Sequence, residues 1–416
     1  MDHFAYRHGD LSCESVSLRT VADAVGTPTY VYSRAALLEP LAAYDHAFRN
    51  VPHLVCYSVK ANANLSVLAT LARAGAGADI VSGGELFRAL RAGVPPRRIV
   101  FSGIGKTREE MREALKADIM LFTVESQSEL RALDEVARGM GTRAPVSLRV
   151  NPDVDPHTHP YIATGLKSAK FGIPIDHAPA AYELAASLGG LEVIGVQMHI
   201  GSQLTKTGPF GDAAARVVAL VKALRERRIE IRLMDVGGGL GIRYRDERPP
   251  SQEEYAAVLE PRLRELGVTL LLEPGRSIVG NAGVLLTRVL YEKDTGAKRF
   301  VIVDAAMNDL IRPAFYDAYH EIRHVAESGG ARPAQTVDVV GPICESGDFL
   351  AKDRALPRAQ EGDLLAVMSA GAYGFVMASN YNARPRAAEV LVDGSRYTIV
   401  RRRESYEDLV AGETVL

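Results

Sequence analysis

Three cysteines stand far apart in the 416 residues, at Cys13, Cys56 and Cys344, which excludes a disulfide framework. The absence of any Cys-x-x-Cys pair also removes the usual zinc spacing. No apolar run approaches the length that crosses a bilayer. The opening Met1 to Asp10 lacks the basic-then-apolar order of a secretory signal, so the chain reads as cytoplasmic. Charge of one sign is lacking too: 49 Lys and Arg stand against 51 Asp and Glu, a formal net charge of -2. With no long basic run, neither a nucleic-acid groove nor an anionic membrane surface is indicated, and small polar ligands remain open. Repeats at solenoid periods and low-complexity tracts are missing as well. What is present, 47% hydrophobic and 24% charged, is ordinary globular material long enough for two domains.

The stretch that organises the chain is His53-Leu-Val-Cys-Tyr-Ser-Val-Lys60-Ala-Asn-Ala-Asn64. Its apolar, β-branched run predicts a buried strand over Leu54 to Val59 with a lysine at the carboxyl end, either a snorkelling cation or a functional amine. Helix and strand then alternate. Further strands are predicted at Ala78–Ser82, Ile99–Ser102, Met120–Glu125, Val146–Val150, Val193–Ile200, Leu233–Val236 and Thr269–Glu273, with helical patterns between them. Eight strands in this span predict an α/β fold, a (β/α)8 TIM barrel over residues 34–275. A doubly wound open sheet is the competitor, disfavoured because no Gly-x-Gly-x-x-Gly turn follows the first strand. Beyond Gly275 the texture becomes short strands and turns: Val284–Tyr291, Phe300–Asp304, Thr336–Val340, Asp363–Met368, Ala387–Val392 and Tyr397–Arg401. This predicts a second, mostly β C-terminal domain over 276–416, with residues 1–33 adding strands to it.

In a barrel the strand ends converge on one mouth, where chemistry belongs. Those ends carry Lys60, Asp79 and Ser82, Arg149 and Asn151, His199-Ile-Gly-Ser202, Gly237-Gly-Gly239 and Glu273-Pro-Gly-Arg276. Glycine-rich turns after the seventh and eighth strands expose backbone N–H groups where a phosphate commonly docks. A phosphate site, an amine and a buried carboxylate together are what pyridoxal 5'-phosphate needs: the lysine joins it covalently and the acid keeps its ring nitrogen protonated. Taken singly, the glycine cluster could be a tight turn, Glu273 a helix cap and His199 a satisfied core histidine. Their coincidence at one mouth favours the chemical reading.

Tyr57-Ser-Val-Lys-Ala-Asn62, Val81-Ser-Gly-Gly-Glu85, His199-Ile-Gly-Ser-Gln203, Gly237-Gly-Gly-Leu-Gly241, Glu273-Pro-Gly-Arg276, Cys344-Glu-Ser-Gly-Asp348 and Gly371-Ala-Tyr-Gly374 resemble, in order, the motif set of the diaminopimelate decarboxylases, pyridoxal-phosphate enzymes of the alanine-racemase-like fold. The resemblance runs from about Thr27 to Pro385. It implies that Lys60 carries the cofactor, that His199 stacks on the ring and that Glu273 pairs with the ring nitrogen. It places Ser202, Gly239, Gly275 and Arg276 at the phosphate end, with Tyr373 near the cofactor. It puts Arg276, Arg312 and Tyr316 around the distal carboxylate of a diamino diacid, where a guanidinium can bind both oxygens. Glu345 then faces the distal ammonium, with Tyr373 also contacting substrate. Read alone, Arg312 could be a surface arginine and Glu345 a loop carboxylate.

The resemblance further implies that Cys344 donates a proton after carbon dioxide leaves; a free thiol, with pKa about 8.5, is mostly protonated at neutral pH. Without it, Cys344 would read as a small buried hydrophobe. The loop bearing Cys344 and Glu345 is implied to come from the neighbouring subunit of a two-fold homodimer with shared sites. Decarboxylases of simpler basic amino acids that resemble this chain tend to carry aspartate after the cysteine, so Glu345 favours decarboxylation of meso-2,6-diaminoheptanedioate to L-lysine, the last step of lysine biosynthesis. A decarboxylase of ornithine, arginine or carboxynorspermidine type is the alternative, with a racemase or non-catalytic carrier behind it. Racemases of this fold place an arginine at the ring nitrogen. Carriers generally lack the β domain. Finally, the loop from Asn151 to Gly172 reads as a lid over the mouth. Asp153, Asp155, His157 and His159 are close within it, but its proline punctuation argues against a metal site.

Overall fold

The protein is described here by a computed structural model covering residues 3–154 and 170–416. It divides into two compact units, one of residues 38–242 with 248–277, the other of residues 1–37 and 278–416 with the short segment 243–247. In the first unit, eight of the described strands run parallel: β1 (His53–Ser58), β2 (Gly77–Ile80), β3 (Ile99–Phe101), β4 (Leu121–Val124), β5 (Ala144–Asn151), β6 (Leu191–Gln197), β7 (Leu233–Asp235) and β8 (Thr269–Leu272). Hydrogen bonding runs in chain order from β1 to β8, and Leu270 opposite His53 joins β8 back to β1, so the sheet closes into the barrel the alternation predicts.

Several helices of the barrel wall are punctuated by local sequence. Arg108–Lys116 begins at Thr107, whose hydroxyl accepts from the Glu110 N–H while the Glu110 carboxylate accepts from the Thr107 N–H. Gln252–Leu266 starts on the same device at Ser251 and Glu254 and stops at Gly267, in the left-handed conformation at φ 62°.

The barrel interior follows from the period of two along each strand. At the amino-terminal end, Cys56, Val100, Leu121 and Leu271 are buried together against Leu54 and Leu233. Each buried side chain of that size contributes roughly 1.5–3 kcal/mol. Two residues further along the same strands the inward positions become polar: Ser58, Ser102, Thr123, Asp235 and Glu273, joined by Asp79 from β2 and Gln197 from β6, all buried. A barrel dry at one end and polar at the other is thus already written into each strand.

The second unit is mostly β. Its larger sheet runs in the order Phe349–Pro357, Ala334–Val340, Arg299–Val303, Gly283–Asp294, Thr29–Ser33, Ala388–Asp393 and Arg396–Arg401, with Leu364–Val367 paired to Gly283–Asp294 and to Ile322–His324. Thr29–Ser33 is buried throughout and sits between an antiparallel and a parallel neighbour. Phe4–Arg7, Asp10–Cys13 and Val16–Ser17 form a separate three-stranded sheet. The nine-residue strand Phe349–Pro357, Phe-Leu-Ala-Lys-Asp-Arg-Ala-Leu-Pro, lies outside the sequence expectations. Its charges break the apolar alternation, and its backbone is held by the antiparallel partner Ala334–Val340, a contact no local pattern encodes. Among the described residues no helix is long and apolar enough to cross a membrane.

Candidate functional site

Strand β1 ends at Ser58, and a single 3-10 turn over Val59–Ala61 follows, so Lys60 leaves the strand one step earlier than its apolar run suggests. This turn swings the amine towards β2: Lys60 Nζ lies 2.6 Å from Asp79 Oδ2. Asp79 is wholly buried, and Ser58 Oγ donates to the same oxygen at 2.5 Å. A carboxylate out of water needs such donors, and here the strongest is the lysine itself.

Glu273, directly past β8, is also buried. Its Oε1 accepts from Ser102 Oγ at 3.2 Å and its Oε2 from Gln197 Nε2 at 3.1 Å, both neutral groups. Burial, then the neighbouring Asp235 and Asp79 carboxyls, raise its pKa well above the ordinary value, while Lys60 opposes them. Asp235 is raised too, mainly by burial, although the Gly237 N–H donates to its Oδ1 at 2.8 Å. Three acids crowded beside one amine favour the arrival of a further positive group.

His199 lies beyond β6, which ends at Gln197 rather than continuing to Ile200. The Gly238 N–H donates to its Nδ1 at 3.3 Å, which leaves the ring proton on Nε2. Burial first, then the cations Arg149 and Lys60, hold the imidazole neutral by lowering its pKa well below the usual value. The glycine loop after β7 is stitched to the loop after β6. Leu204 N–H donates to Gly239 O, Gly241 N–H to Leu204 O, and the Gln203 amide exchanges hydrogen bonds with the backbone of Ile242. Ser202 lies in the loop between Gly201 and Leu204, both of which approach Gly239. Gly239 needs to be glycine: its φ is 113°, and a Cβ there would lie 2.3 Å from Gly201 O. At Gly275 a Cβ would come within 2.9 Å of both Ala61 and Ser58, so the chain passes the end of β1 too closely for a side chain, with Arg276 following.

The remaining expected site residues lie in the β-rich unit. Arg312 opens the short helix Arg312–Tyr316 and is buried, not a surface arginine. Its Nη1 donates to Tyr244 Oη at 2.8 Å and its guanidinium lies over the Tyr244 ring at 4.9 Å. Tyr316 is part-exposed, its ring edge-on to Phe315. Cys344 is exposed, which corrects the reading of it as a small buried hydrophobe and leaves its thiol accessible; Cys13 and Cys56 are the buried ones. Glu345 is exposed as well, and Tyr373 holds a left-handed backbone at φ 55°. Sequence reasoning left Ser102, Gln197 and Asp235 without a role and noted Asp79 only as a strand end. The signal that finds them is a polar residue at the inward phase of an otherwise apolar strand. Asp155, His157 and His159, with most of the expected lid, lie outside the described residues.

Residues 34–280 match the family model described as pyridoxal-dependent decarboxylase, pyridoxal binding domain. The diaminopimelate decarboxylase of Pseudomonas aeruginosa is 59% identical over 416 residues, covering 100% of both chains. The chain belongs to the diaminopimelate decarboxylase family. Among solved structures, the diaminopimelate decarboxylase of Helicobacter pylori complexed with L-lysine is 43% identical with a TM-score of 0.91, over 94% of this chain and 98% of that one. The M. jannaschii enzyme in complex with L-lysine is 39% identical with a TM-score of 0.95, over 100% and 98%.

Diaminopimelate decarboxylases of this family use pyridoxal 5'-phosphate, and the barrel mouth fits it. An amine, a buried carboxyl whose proton affinity is raised, and turns whose glycines leave no room for side chains are the groups that such a cofactor requires.

Proposed function

We infer that this protein decarboxylates meso-2,6-diaminoheptanedioate to L-lysine and carbon dioxide, closing lysine biosynthesis in the cytoplasm. The observation that carries the reading is Glu273, an acid and not an arginine, buried in the same mouth as Lys60. An acid there supports full electron withdrawal at the ring, which decarboxylation needs and racemisation does not. The lysine-bound relatives support the substrate.

Bound pyridoxal 5'-phosphate supplies an electron sink conjugated to the substrate's α-carbon. Lys60 would carry it, His199 would pack beside it, and Glu273 would serve as the counter-ion that keeps its nitrogen protonated, a charge arrangement built before substrate arrives. Ser202, Gly239, Gly275 and Arg276 hold the phosphate end, with Tyr373 beside the cofactor. Arg276, Arg312 and Tyr316 bind the distal carboxylate, Glu345 binds the distal ammonium, and Tyr373 completes the substrate contacts. Once carbon dioxide has left with its carbon–carbon bond broken, Cys344 Sγ delivers a proton to the α-carbon. In this reading the Cys344–Glu345 loop comes from the partner subunit of a homodimer, so each site is built from two chains.

The test combines spectrum and turnover. The purified protein should show a cofactor band that Lys60→Ala abolishes, and should release L-lysine from meso-2,6-diaminoheptanedioate in preference to turning over ornithine or arginine. Comparable turnover of ornithine would move the assignment to the sister decarboxylases.

A further inference from the structure

The loop that carries Cys344 and Glu345 is tied down from both sides by side chains rather than by a strand. Ile343 N–H donates to Asp348 Oδ2 at 2.7 Å. The other oxygen of the same carboxylate, Oδ1, accepts from Met307 N–H at 2.7 Å, on the segment that leads into Arg312–Tyr316. Asp348 is 4% exposed, so both bonds are sheltered from water. The loop also closes on itself, with Glu345 N–H on Ile343 O and Asp348 N–H on Glu345 O. The next backbone group, Cys344 N–H, donates to Asn382 Oδ1 at 2.7 Å. Asn382 sits at φ 55° and ψ 30°, and Ala383 beside it is also left-handed at φ 54°. Alanine adopts that conformation only where its surroundings impose it.

We propose that Asp348 is a positioning residue that locks the Cys344–Glu345 loop to the turn at Met307, while Asn382 fixes the backbone of the cysteine itself. The proposal rests on the roles given above to Cys344 and Glu345. A carboxylate is required because both backbone N–H groups need an acceptor oxygen. Asparagine offers one oxygen and turns an N–H donor towards the other amide. Proton delivery by Cys344 and recognition of the distal ammonium by Glu345 therefore share one mechanical anchor, and the chemistry of neither requires Asp348 to touch substrate.

The experiment uses the cofactor-loaded enzyme, with rates normalised to bound cofactor. Asp348→Asn should lower kcat about ten- to hundred-fold, as displaced reacting groups do, and raise KM for meso-2,6-diaminoheptanedioate several-fold. Asn382→Gly keeps the backbone conformation and removes only the acceptor for Cys344, so it should lower kcat with KM unchanged. In both, the absorbance of the bound cofactor should match the wild type. A role confined to stability would reduce the loaded fraction while leaving kcat and KM per loaded site alone. Wild-type values in both variants overturn the proposal, and Asn382→Gly decides the matter if Asp348→Asn fails to fold. Should Cys344→Ser itself turn over at the wild-type rate, the proton-donor role fails separately. The alkylation rate of Cys344 by iodoacetamide then reads positioning directly: a change in Asp348→Asn supports it and an unchanged rate refutes it.

Discussion

The barrel mouth and the Cys344 loop hold the groups of the proposed mechanism by different means. In the mouth, Lys60, Asp79 and Glu273 are placed by strand ends, and their charges are set by burial and by one another. In the loop, Cys344 and Glu345 are exposed, and single side chains hold the backbone around them: Asn382 accepts from the Cys344 N–H and Asp348 from the Ile343 N–H. The first arrangement tunes proton affinity, because taking acids out of water makes each neighbouring charge count for more. The second fixes position alone. A substitution in the mouth should therefore change the cofactor's electronic state, whereas one in the loop should change the rate and leave the spectrum as it was.

Glu273→Gln breaks the mouth most severely: we expect a folded, cofactor-loaded protein whose kcat falls by about 10²–10³, the usual effect of removing one pre-organised electrostatic partner. Its cofactor spectrum should also shift, and an unshifted spectrum with full turnover would end the account of the mouth. Cys344→Ser sharpens the contrast, with a fall of about 10² in kcat and an unaltered spectrum, read by stopped-flow turnover beside an absorbance scan. Gly239→Ala probes the glycine cradle. With φ at 113° and Gly201 O in the way, it should destabilise the barrel by about 1–3 kcal/mol and weaken cofactor retention, measured by thermal melts with and without added pyridoxal phosphate.

The smallest effect concerns pH and the outer β unit. Partial burial pushes the Glu404 carboxyl up, but the Arg386 side chain and backbone and the Asn380 amide outweigh it and hold its pKa down to about 2, from an ordinary 4.5. A depressed folded-state pKa means that the stabilisation is complete above about pH 4.5 and is lost as pH falls towards 2. Glu404→Gln should flatten that part of the acid unfolding curve and leave turnover at neutral pH untouched. Because the group is largely solvated, the change in midpoint should be slight.

Much of the barrel was legible because a buried parallel strand announces itself as an apolar run, and all eight runs reappear as strands with shifted ends. Two of the shifts fall at residues to which the proposed function gives a role. β1 and β6 stop early, at Ser58 and Gln197, and release Lys60 into a 3-10 turn and His199 into a loop. The strand Phe349–Pro357 escaped notice because its charged residues carry no alternation, and the burial of Arg312 escaped because an aromatic ring distant in sequence covers it.

By itself the sequence determined which chemical groups exist and the local rhythm that carries them: a lysine after one apolar run, an acid after another, glycines after a third. Those signals are local, readable over a few residues of periodicity and turn chemistry. Only the tertiary structure decided that the sheet closes, that Lys60 faces Asp79, that Glu273 shares its surroundings with Asp235, and that one carboxylate at Asp348 joins two loops. Each of these is a contact between residues far apart along the chain, and its energy depends on burial and mutual distance, quantities that exist only once the chain has folded.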